Sequence, residues 1–281
     1  MQINNHQLQG KDTSGAEVSF VQTQNFWSGA FRTTNGLPDA IIIHYTAMTS
    51  LDAAVKVLTT KKPKDNASAH LVIGKKGEIV QLARFDQRTW HAGTSVYNGR
   101  ENYNHYSIGI EIDNVGWLKD FGNGKFSRVK LLNAGVSYGK KDVFEGRHFN
   151  SKIPYQYWGK YTDAQIQSVF AVCDLLHDTY NIREILGHDE IAPGRKQDPG
   201  PAFPMDELKQ TILVDRLGES KAGYVNTDLL NIRAGAGVGH PKVARPLSHS
   251  QEVEILEEKE GWVKVRTSVE GWVSKQYISH R

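Results

Sequence analysis

Two histidines and one aspartate have the residue types and the positions of a metal site. His44 follows an apolar run, and His188 lies near the start of the segment 187–201, in which glycine and proline recur. We expect this segment to be a rigid loop without regular secondary structure that presents His188, Lys196 and Asp198. Two imidazoles and a carboxylate would fill three corners of a tetrahedral zinc site and leave the fourth for water, as in catalytic zinc sites. The spacing is not that of an HExxH helix, so spacing alone does not establish zinc binding.

A further candidate, Glu111, is placed by the alternation of residues 107–113. Isoleucine occupies every second position of this segment, and small or acidic residues occupy the others. A period of two predicts a strand whose two faces carry these two sets of side chains. Glu111 therefore lies opposite the isoleucine face and is expected to point into a cleft.

The hydrophobic pattern predicts the elements that would position these residues. Thr162 and Gln165 form the capping box of the clearest helix, 162–180. Cys173, the single cysteine, lies on the apolar face of that helix, so we expect a buried structural thiol and not a nucleophile. The other expected elements are a buried strand at 40–46, a helix after the N-cap Ser50, a hairpin of 69–74 with 78–83, and a last helix at 206–217.

Five segments together resemble the type 2 N-acetylmuramoyl-L-alanine amidases, zinc enzymes that share a fold with phage T7-type lysozymes and peptidoglycan recognition proteins. The segments are 42–44, 68–70, 90–93, 107–111 and 187–203, of which the last is the longest and most specific match. The resemblance covers about residues 37–213. It implies an α/β fold with a central mixed β-sheet flanked by helices, and a zinc ion in a surface groove. It also implies hydrolysis of the amide that joins N-acetylmuramic acid to L-alanine in peptidoglycan.

The same resemblance places the ligands of one Zn²⁺ at His44, His188 and Asp198. It places the catalytic carboxylate at Glu111 and the transition-state lysine at Lys196. Zinc lowers the pKa of water that it binds to about 7 and polarises a carbonyl group. Glu111 would take the proton from the attacking water and pass it to the leaving amine. Lys196 would stabilise the developing oxyanion, and a solvated surface lysine is the alternative.

Other residues near these motifs carry further expectations. Trp90 and His91 are candidate substrate-binding residues, although a structural hydrogen bond is an equal alternative for His91. His70 continues a core strand and is expected to be structural. The acidic pair at 189–190 is expected either to orient His188 or to face solvent.

Shifts in composition divide the first part of the chain. Residues 1–36 are expected to form an irregular arm packed by its aromatic rings. Residues 115–160 are expected to be an insertion of loops and short strands, rich in lysine and arginine. That insertion either extends the groove for an anionic glycan-peptide or is a solvated loop. Both segments belong to an expected amidase domain at 1–217.

A linker at 218–223 and a small all-β domain at 224–281 are expected to follow. Short alternating runs recur there between glycine, proline and charged turns. The Asn-Ile-Arg-Ala-Gly start and the two Gly-Trp-Val motifs resemble bacterial SH3-like domains. The resemblance implies a small β-barrel that targets the enzyme to the cell wall, and a purely structural appendage is the alternative.

The composition excludes several classes of protein. The chain has 281 residues, of which 39% are hydrophobic and 23% charged, and this rules out a disordered or collagen-like chain. No apolar run approaches the ~18–20 residues of a membrane span. A net charge of +3 is too small to indicate a nucleic-acid partner. One cysteine excludes an intrachain disulfide.

The first ten residues have neither the basic nor the apolar segment of a secretory signal. We therefore expect a protein made in the bacterial cytoplasm that reaches the cell wall by a separate release route. Together these features predict a zinc amidase of the endolysin or autolysin type that acts on peptidoglycan or muropeptides. Two alternatives stay open, a non-catalytic peptidoglycan-recognition module and a muropeptide-recycling amidase. A non-catalytic relative would be expected to lack a metal ligand or the carboxylate.

Overall fold

The chain forms two compact units, residues 1–212 and 213–281. The computed structural model describes residues 1–61, 66–214, 221–259, 261–267, 270–275 and 278–280. Of the linker expected at 218–223, residues 218–220 lie outside the described residues, and a strand begins at Lys221.

The first unit is built from short strands and a few helices. In chain order its strands are β1 (Gln2–Asn4), β2 (Gln7–Gln9), β3 (Ser19–Phe20), β4 (Phe26–Trp27), β5 (Ala40–Tyr45), β6 (Leu71–Ile73), β7 (Ile79–Gln81), β8 (Arg88–Thr89), β9 (Val96–Tyr97), β10 (Arg100–Glu101), β11 (Ser107–Ile112), β12 (Trp117–Asp120), β13 (Phe126–Ser127), β14 (Val143–Glu145), β15 (Tyr157–Gly159) and β16 (Glu184–Gly187). Its α-helices are α1 (Leu51–Thr59), α2 (Val129–Asn133), α3 (Asp163–Tyr180), α4 (His188–Ile191) and α5 (Met205–Lys209). Short 3₁₀ turns occur at Tyr103–His105 and Lys140–Asp142.

A six-stranded mixed sheet in the order β16-β5-β11-β6-β7-β3 forms the centre of this unit. The strands β16, β5, β11 and β6 run parallel, and β7 pairs with β6 as the antiparallel hairpin that the sequence predicts. Every residue of β5 and β6 is buried, as expected for parallel strands covered on both faces. The predicted α/β fold with a central mixed sheet is confirmed.

Both predicted helix starts are present. The Ser50 hydroxyl accepts a hydrogen bond from the backbone N–H of Ala53 at 3.3 Å and caps α1. Thr162 and Gln165 form the reciprocal capping box of α3. The buried face of α3 includes Cys173, and burial raises the pKa of its thiol, so the prediction of a structural cysteine is confirmed.

The N-terminal arm contains regular pairing, so the expectation of an irregular arm is wrong. β1 pairs with β2, and β3 joins the central sheet as an edge strand beside β7. Asp12 attaches the arm to the sheet, because its Oδ2 accepts a hydrogen bond from the backbone N–H of Ile79 at 3.1 Å. Strands of two or three residues, several of them exposed, leave no hydrophobic period in the sequence.

The insertion forms a small antiparallel sheet of its own in the order β13-β12-β15-β14. Four buried side chains form its core: Val115, Leu118, Phe126 and Val143. Residues 115–160 thus contain the predicted short strands, together with a short helix, α2, that the sequence pattern did not predict.

The segment 187–201 contains one helical turn, so the expectation of no regular structure there is wrong. β16 ends at Gly187 and α4 follows at once. Glu190 Oε2 accepts a hydrogen bond from the backbone N–H of Gly187 at 2.7 Å and stabilises the start of the turn. The backbone N–H of Asp189 donates to the carbonyl of Asp198 at 2.8 Å. Four residues are too few to show a helical period, which is why the sequence pattern missed the turn.

Residues 205–214 form an irregular helix where the sequence predicted a continuous one at 206–217. α5 is followed by a π-helical turn, Gln210–Val214, and residues 215–217 lie outside the described residues. Leu208 and Ile212 bury the apolar side of this segment. Within the described ranges, no helix combines the length and the apolar character that crossing a membrane requires.

The second unit is all-β in its described part. Its strands are β17 (Lys221–Val225), β18 (Leu229–Leu230), β19 (Leu247–Ser248), β20 (Glu252–Lys259), β21 (Trp262–Arg266), β22 (Glu270–Ser274) and β23 (Ile278–His280). β22-β21-β20-β17-β23 form an antiparallel sheet, and β18 pairs with β19. Its core consists of buried valines, isoleucines and leucines, among them Val225, Ile232, Val263 and Val273.

Candidate active site

His44, His188 and Asp198 meet in one buried cluster. The Nδ1 atoms of the two histidines lie 2.8 Å apart. Asp198 Oδ2 lies 3.0 Å from His44 Nδ1 and 2.9 Å from His188 Nδ1. The three residues are only 1%, 2% and 7% exposed, respectively. In the part of the chain that the structure describes, these side chains approach closely enough to share one metal ion.

The register of parallel strands brings these residues together. β5 has β11 on one side and β16 on the other, so the carboxyl ends of the three strands lie at the same edge of the sheet. Glu111 is the register partner of His44. Gly187 pairs with Ile43, so His188 comes directly after the end of the neighbouring strand. The backbone bond from Asp189 to Asp198 then holds the returning loop against α4.

Hydrogen bonds on the far side of each ring orient the two histidines. His188 Nε2 lies 3.0 Å from the carbonyl oxygen of Ala92 and therefore carries a proton that it donates. His91 Nε2 donates to the carbonyl of Ser107 at 3.3 Å, so His91 Nδ1 is an acceptor. His44 Nε2 donates to that acceptor at 3.0 Å. Both histidines of the cluster consequently present an unprotonated Nδ1 to its centre.

The cluster fits a divalent metal ion. Two neutral imidazole nitrogens and one carboxylate oxygen are all acceptors, and no proton lies between them. Lone pairs at these distances repel one another unless a cation lies between them. Nitrogen and oxygen ligands whose rings are fixed by hydrogen bonds at the opposite nitrogen are typical of zinc sites with an open coordination position.

Burial keeps the cluster in the protonation state that a metal ion requires. Desolvation, together with repulsion from His188, lowers the pKa of His44 from 6.5 to about 4. Burial also lowers the pKa of His91 well below its usual value. For Asp198, burial acts to raise the pKa, but the close approach of His188 and His44 outweighs it and holds the pKa below its usual range. At neutral pH the site therefore contains a neutral His44 and an ionised Asp198.

Glu111 carries a buried carboxyl oxygen without a partner. Its Oε2 atom makes no hydrogen bond to any residue in the described ranges. Burial, followed by repulsion from Asp198, raises the pKa of Glu111 from 4.5 to about 8, and Lys196 opposes this change. A carboxyl group that titrates near neutral pH can both accept and return a proton during a reaction.

A cavity of about 410 Å³ opens beside the cluster. Its walls include every residue that the sequence nominated: His44, Trp90, His91, Glu111, His188, Lys196 and Asp198. Lys196 is half-buried, and among the described side chains none forms an ion pair or hydrogen bond with its ammonium group. Trp90 is 39% exposed and packs against Trp27 with the ring centroids 6.1 Å apart.

The histidines beside the cluster have structural contacts. His91 lines the cavity, but both of its ring nitrogens are engaged, one with His44 and the other with Ser107. His70 Nε2 lies 2.8 Å from the carbonyl of Gln87, and its Nδ1 accepts from the backbone N–H of Gly109 at 3.0 Å. The prediction that His70 is structural is confirmed.

The acidic pair at 189–190 stabilises the loop, and neither side chain reaches the His188 ring. Asp189 Oδ2 lies 3.0 Å from His148 Nε2, and both side chains are buried. Glu190 accepts from the Gly187 backbone and from the Lys209 ammonium group. The pair therefore stabilises the turn from which His188 projects, without touching its imidazole.

Sequence reasoning missed three contributors to this site. Arg195 donates from Nη2 to the carbonyls of Ala92 and Thr94 at 2.7 and 2.6 Å, which anchors the carbonyl that orients His188. His148 comes from the insertion and pairs with Asp189. Arg128, also from the insertion, lines the cavity. Only the basic character of 115–160 pointed to the insertion, and it did not single out a residue.

Family models match both units. A model described as N-acetylmuramoyl-L-alanine amidase matches residues 34–201, which is more than half of the chain. A model described as bacterial SH3 domain matches residues 228–279.

Two curated proteins of Escherichia coli (strain K12) are similar to the chain. The 1,6-anhydro-N-acetylmuramyl-L-alanine amidase AmpD is 38% identical over 151 residues, which cover 53% of this chain and 59% of that protein. The N-acetylmuramoyl-L-alanine amidase AmiD is 31% identical over 179 residues, which cover 60% of this chain and 51% of that protein. The chain thus spans a little over half the length of these curated relatives.

Solved structures of similar proteins were also found. The crystal structure of a selenomethionine AmpD derivative is 27% identical with a TM-score of 0.49, and the match covers 75% of this chain and 99% of that one. A complex of AmiD from E. coli with anhydro-N-acetylmuramic acid-L-Ala-D-gamma-Glu-L-Lys is 28% identical with a TM-score of 0.45, covering 68% and 66% of the two chains.

Proposed function

The chain belongs to the N-acetylmuramoyl-L-alanine amidase family, and on this basis we propose that it hydrolyses the amide bond between N-acetylmuramic acid and L-alanine in peptidoglycan and muropeptides. The observation that carries the proposal is that the buried cluster of two histidines and an aspartate shares one cavity with Glu111 and Lys196. Amide hydrolysis needs an activated water, a positive charge near the oxyanion and a proton for the leaving amine. The cavity holds a group for each of these needs.

His44, His188 and Asp198 would hold one zinc ion. The family depends in general on zinc, and this set of nitrogen and oxygen donors is one that zinc prefers. When bound, zinc would lower the pKa of a water molecule to about 7 and polarise the scissile carbonyl. The chain supplies the geometry, because the hydrogen bonds to Ala92 and His91 keep both Nδ1 atoms directed at the centre of the cluster.

Glu111 would transfer the proton. Its carboxylate would accept the proton of the attacking water and pass it to the amide nitrogen, and burial favours the protonated form between these two transfers. The unpartnered Oε2 supports this role, because a carboxyl oxygen already held by a hydrogen bond would be a weaker base.

Lys196 would stabilise the oxyanion that forms when water adds to the carbonyl. Lys196 lines the cavity, and no carboxylate in the described ranges forms an ion pair with it. The backbone N–H of Lys196 donates to the carbonyl oxygen of Ala192 at 3.0 Å, which fixes the base of the side chain. A positioned cation in a partly dry site is worth several kcal/mol to such a transition state.

Mass spectrometry of a digest tests the proposal. The purified full chain is treated with a chelator, reloaded with Zn²⁺, and incubated with a synthetic N-acetylmuramoyl peptide. We expect two products, a sugar with a free lactyl carboxyl group and a peptide that begins with L-alanine, and we expect neither before reloading. The Asp198→Asn variant should form neither product, whereas Asp206→Asn, which alters an exposed aspartate of α5, should behave as wild type. Peptide binding without either product would instead support a recognition module.

The physical form of the substrate separates two roles. The match to a bacterial SH3 domain favours action on intact wall, as in an endolysin or autolysin. The name of the AmpD relative specifies a 1,6-anhydro-muropeptide, which favours a recycling amidase. We propose intact wall as the main substrate, because a wall-targeting domain contributes nothing to cleavage of a soluble fragment. Comparing rates on purified sacculi and on 1,6-anhydro-muropeptides decides between the two roles.

A further inference from the structure

Three side chains of the insertion form an ordered stack, which we call the insertion stack: Arg128, Trp117 and Tyr155. The rings of Trp117 and Tyr155 are parallel to within 1°, with centroids 4.0 Å apart. The guanidinium carbon of Arg128 lies 4.3 Å from the centroid of Trp117. A planar guanidinium packed on an aromatic ring loses much of its rotational freedom before any ligand arrives.

Arg128 keeps most of its hydrogen-bonding capacity. A guanidinium has five N–H donors. One of them, on Nη1, donates to the carbonyl of Val115 at 3.4 Å. No carboxylate in the described part of the chain forms an ion pair with Arg128. The group is therefore a positioned cation that protein acceptors leave largely unsatisfied.

Arg128 connects the catalytic cavity with a second one. It lines the cavity of about 410 Å³ that contains the metal cluster and Glu111. Together with Ala47 it also lines an adjoining cavity of about 460 Å³ that includes Trp117. Trp90 lines the first cavity and is absent from the lining of the second. A substrate that leaves the catalytic centre toward the insertion therefore passes Arg128.

We propose that the insertion stack is a subsite for a carboxylate of the substrate, in which Arg128 binds the α-carboxylate of the second residue of the stem peptide. This inference rests on the proposed amidase function. The muramoyl sugar is uncharged once its lactyl group forms the scissile amide, so the anionic groups of a muropeptide lie on its peptide side. The residue after L-alanine is a D-glutamate linked onward through its side chain, and its α-carboxyl group is free unless it is amidated.

The reach of the chain supports this choice of carboxylate. One peptide residue spans at most ~3.6 Å, so the second residue remains near the catalytic cavity when the scissile amide lies at the cluster. Arg128 belongs to the wall of that same cavity. Arginine binds carboxylates through two parallel N–H bonds, and such charged pairs contribute more than neutral hydrogen bonds. The insertion stack would thus distinguish a stem peptide with D-glutamate at its second position from one with D-isoglutamine there.

A pair of substrates tests the subsite with the unaltered protein. N-acetylmuramoyl-L-Ala-γ-D-Glu-L-Lys and its D-isoglutamine counterpart differ only in a carboxylate or a carboxamide. We expect the zinc-loaded wild type to show a KM about ten- to hundredfold lower for the glutamate peptide, with kcat similar for both, because the lost interaction is a charged hydrogen bond. Equal KM values for the two peptides would overturn the proposal.

Variants assign the effect to the residue. Arg128→Gln should raise KM for the glutamate peptide about ten- to hundredfold and raise KM for the isoglutamine peptide much less. The KM of Arg128→Lys for the glutamate peptide should lie between those of the wild type and Arg128→Gln, since lysine keeps the charge but lacks the planar guanidinium. Arg147→Gln is the matched control, because Arg147 is an exposed arginine of the same insertion outside the catalytic cavity. If Arg128→Gln raises KM equally for both peptides, Arg128 does not recognise the carboxylate.

Binding measurements distinguish failure of the subsite from failure of the amidase proposal. Calorimetry with Glu111→Gln protein gives a Kd for each uncleaved peptide. If the wild type cleaves neither peptide but the Glu111→Gln protein binds the glutamate peptide more tightly, the hydrolysis is refuted and the subsite is supported. Cleavage of both peptides without any preference supports the hydrolysis and refutes the subsite. If Arg128→Gln does not fold, the comparison of the two peptides on wild type decides.

Discussion

Glu111→Gln should stabilise the metal-free protein at alkaline pH while it removes turnover from the zinc-loaded one. The carboxyl group is buried, its Oε2 has no partner among the described residues, and Asp198 repels its charge. Glutamine has nearly the same shape and no charge. The substitution therefore removes an electrostatic cost without opening a cavity.

The pKa values fix the size and the sign of the effect. Burial raises the pKa of Glu111 from 4.5 to about 8, a separation that corresponds to at most ~5 kcal/mol. Below pH 4.5 the group is protonated in the folded and the unfolded chain, so it contributes no difference. Between pH 4.5 and about 8 the unfolded chain releases the proton while the folded chain retains it, and the wild type loses stability as pH rises. Above about pH 8 that loss is complete.

Urea unfolding followed by tryptophan fluorescence measures the effect. Wild type and Glu111→Gln, both with a chelator, are compared at several pH values. We expect similar free energies of unfolding near pH 4.5 and a growing advantage for the variant up to about pH 8, of ~5 kcal/mol at most. The m-values should agree, because the same surface is exposed on unfolding. Glu207→Gln, at an exposed position of α5, should show no such trend.

Bound zinc should reduce the stability advantage of Glu111→Gln over the wild type, since a nearby cation favours the ionised carboxylate of Glu111. In the zinc-loaded state Glu111→Gln should lose about 10²–10⁴-fold in turnover, the usual contribution of a general base. A stability difference that does not change with pH, or one that favours the wild type at alkaline pH, would refute the reasoning about burial. Near-normal turnover would remove Glu111 from the proton transfer.

Three further changes test other parts of the site. His188→Ala should abolish zinc retention and turnover, and stoichiometric zinc in that variant by elemental analysis would show that His188 is not a ligand. Gly109→Ala should weaken zinc affinity about 10–100-fold, because a Cβ at Gly109 would overlap the His91 ring that orients His44. Competition with a chelating dye measures the zinc affinity. Deletion of 222–281 should leave cleavage of small muropeptides unchanged and reduce activity on sacculi, because tethering raises the local enzyme concentration. Equal loss on both substrates would contradict separate roles for the two units.

Local patterns were sufficient to predict many elements. The alternation of 107–113 predicted β11 and placed Glu111 on the strand face opposite the isoleucines, and Glu111 does line the cavity. The capping box at Thr162 predicted the start of α3. Both patterns act between residues a few positions apart, so the sequence displays them directly. Where the element was too short to show a period, as in β3 and α4, the prediction was wrong.

Residue types and motif spacing also nominated the members of the candidate site. They could not show that His44 and Glu111 become register partners, because hydrogen bonds between β5 and β11 create that pairing across a long stretch of chain. The raised pKa of Glu111 likewise has no local signal, since it arises from burial and from Asp198. Arg128 and its stacking on Trp117 depend on how the insertion folds. Short-range periodicity specifies elements, whereas the pairing of distant strands and the exclusion of water arise only when those elements pack together, and these decide which nominated groups meet and how they titrate.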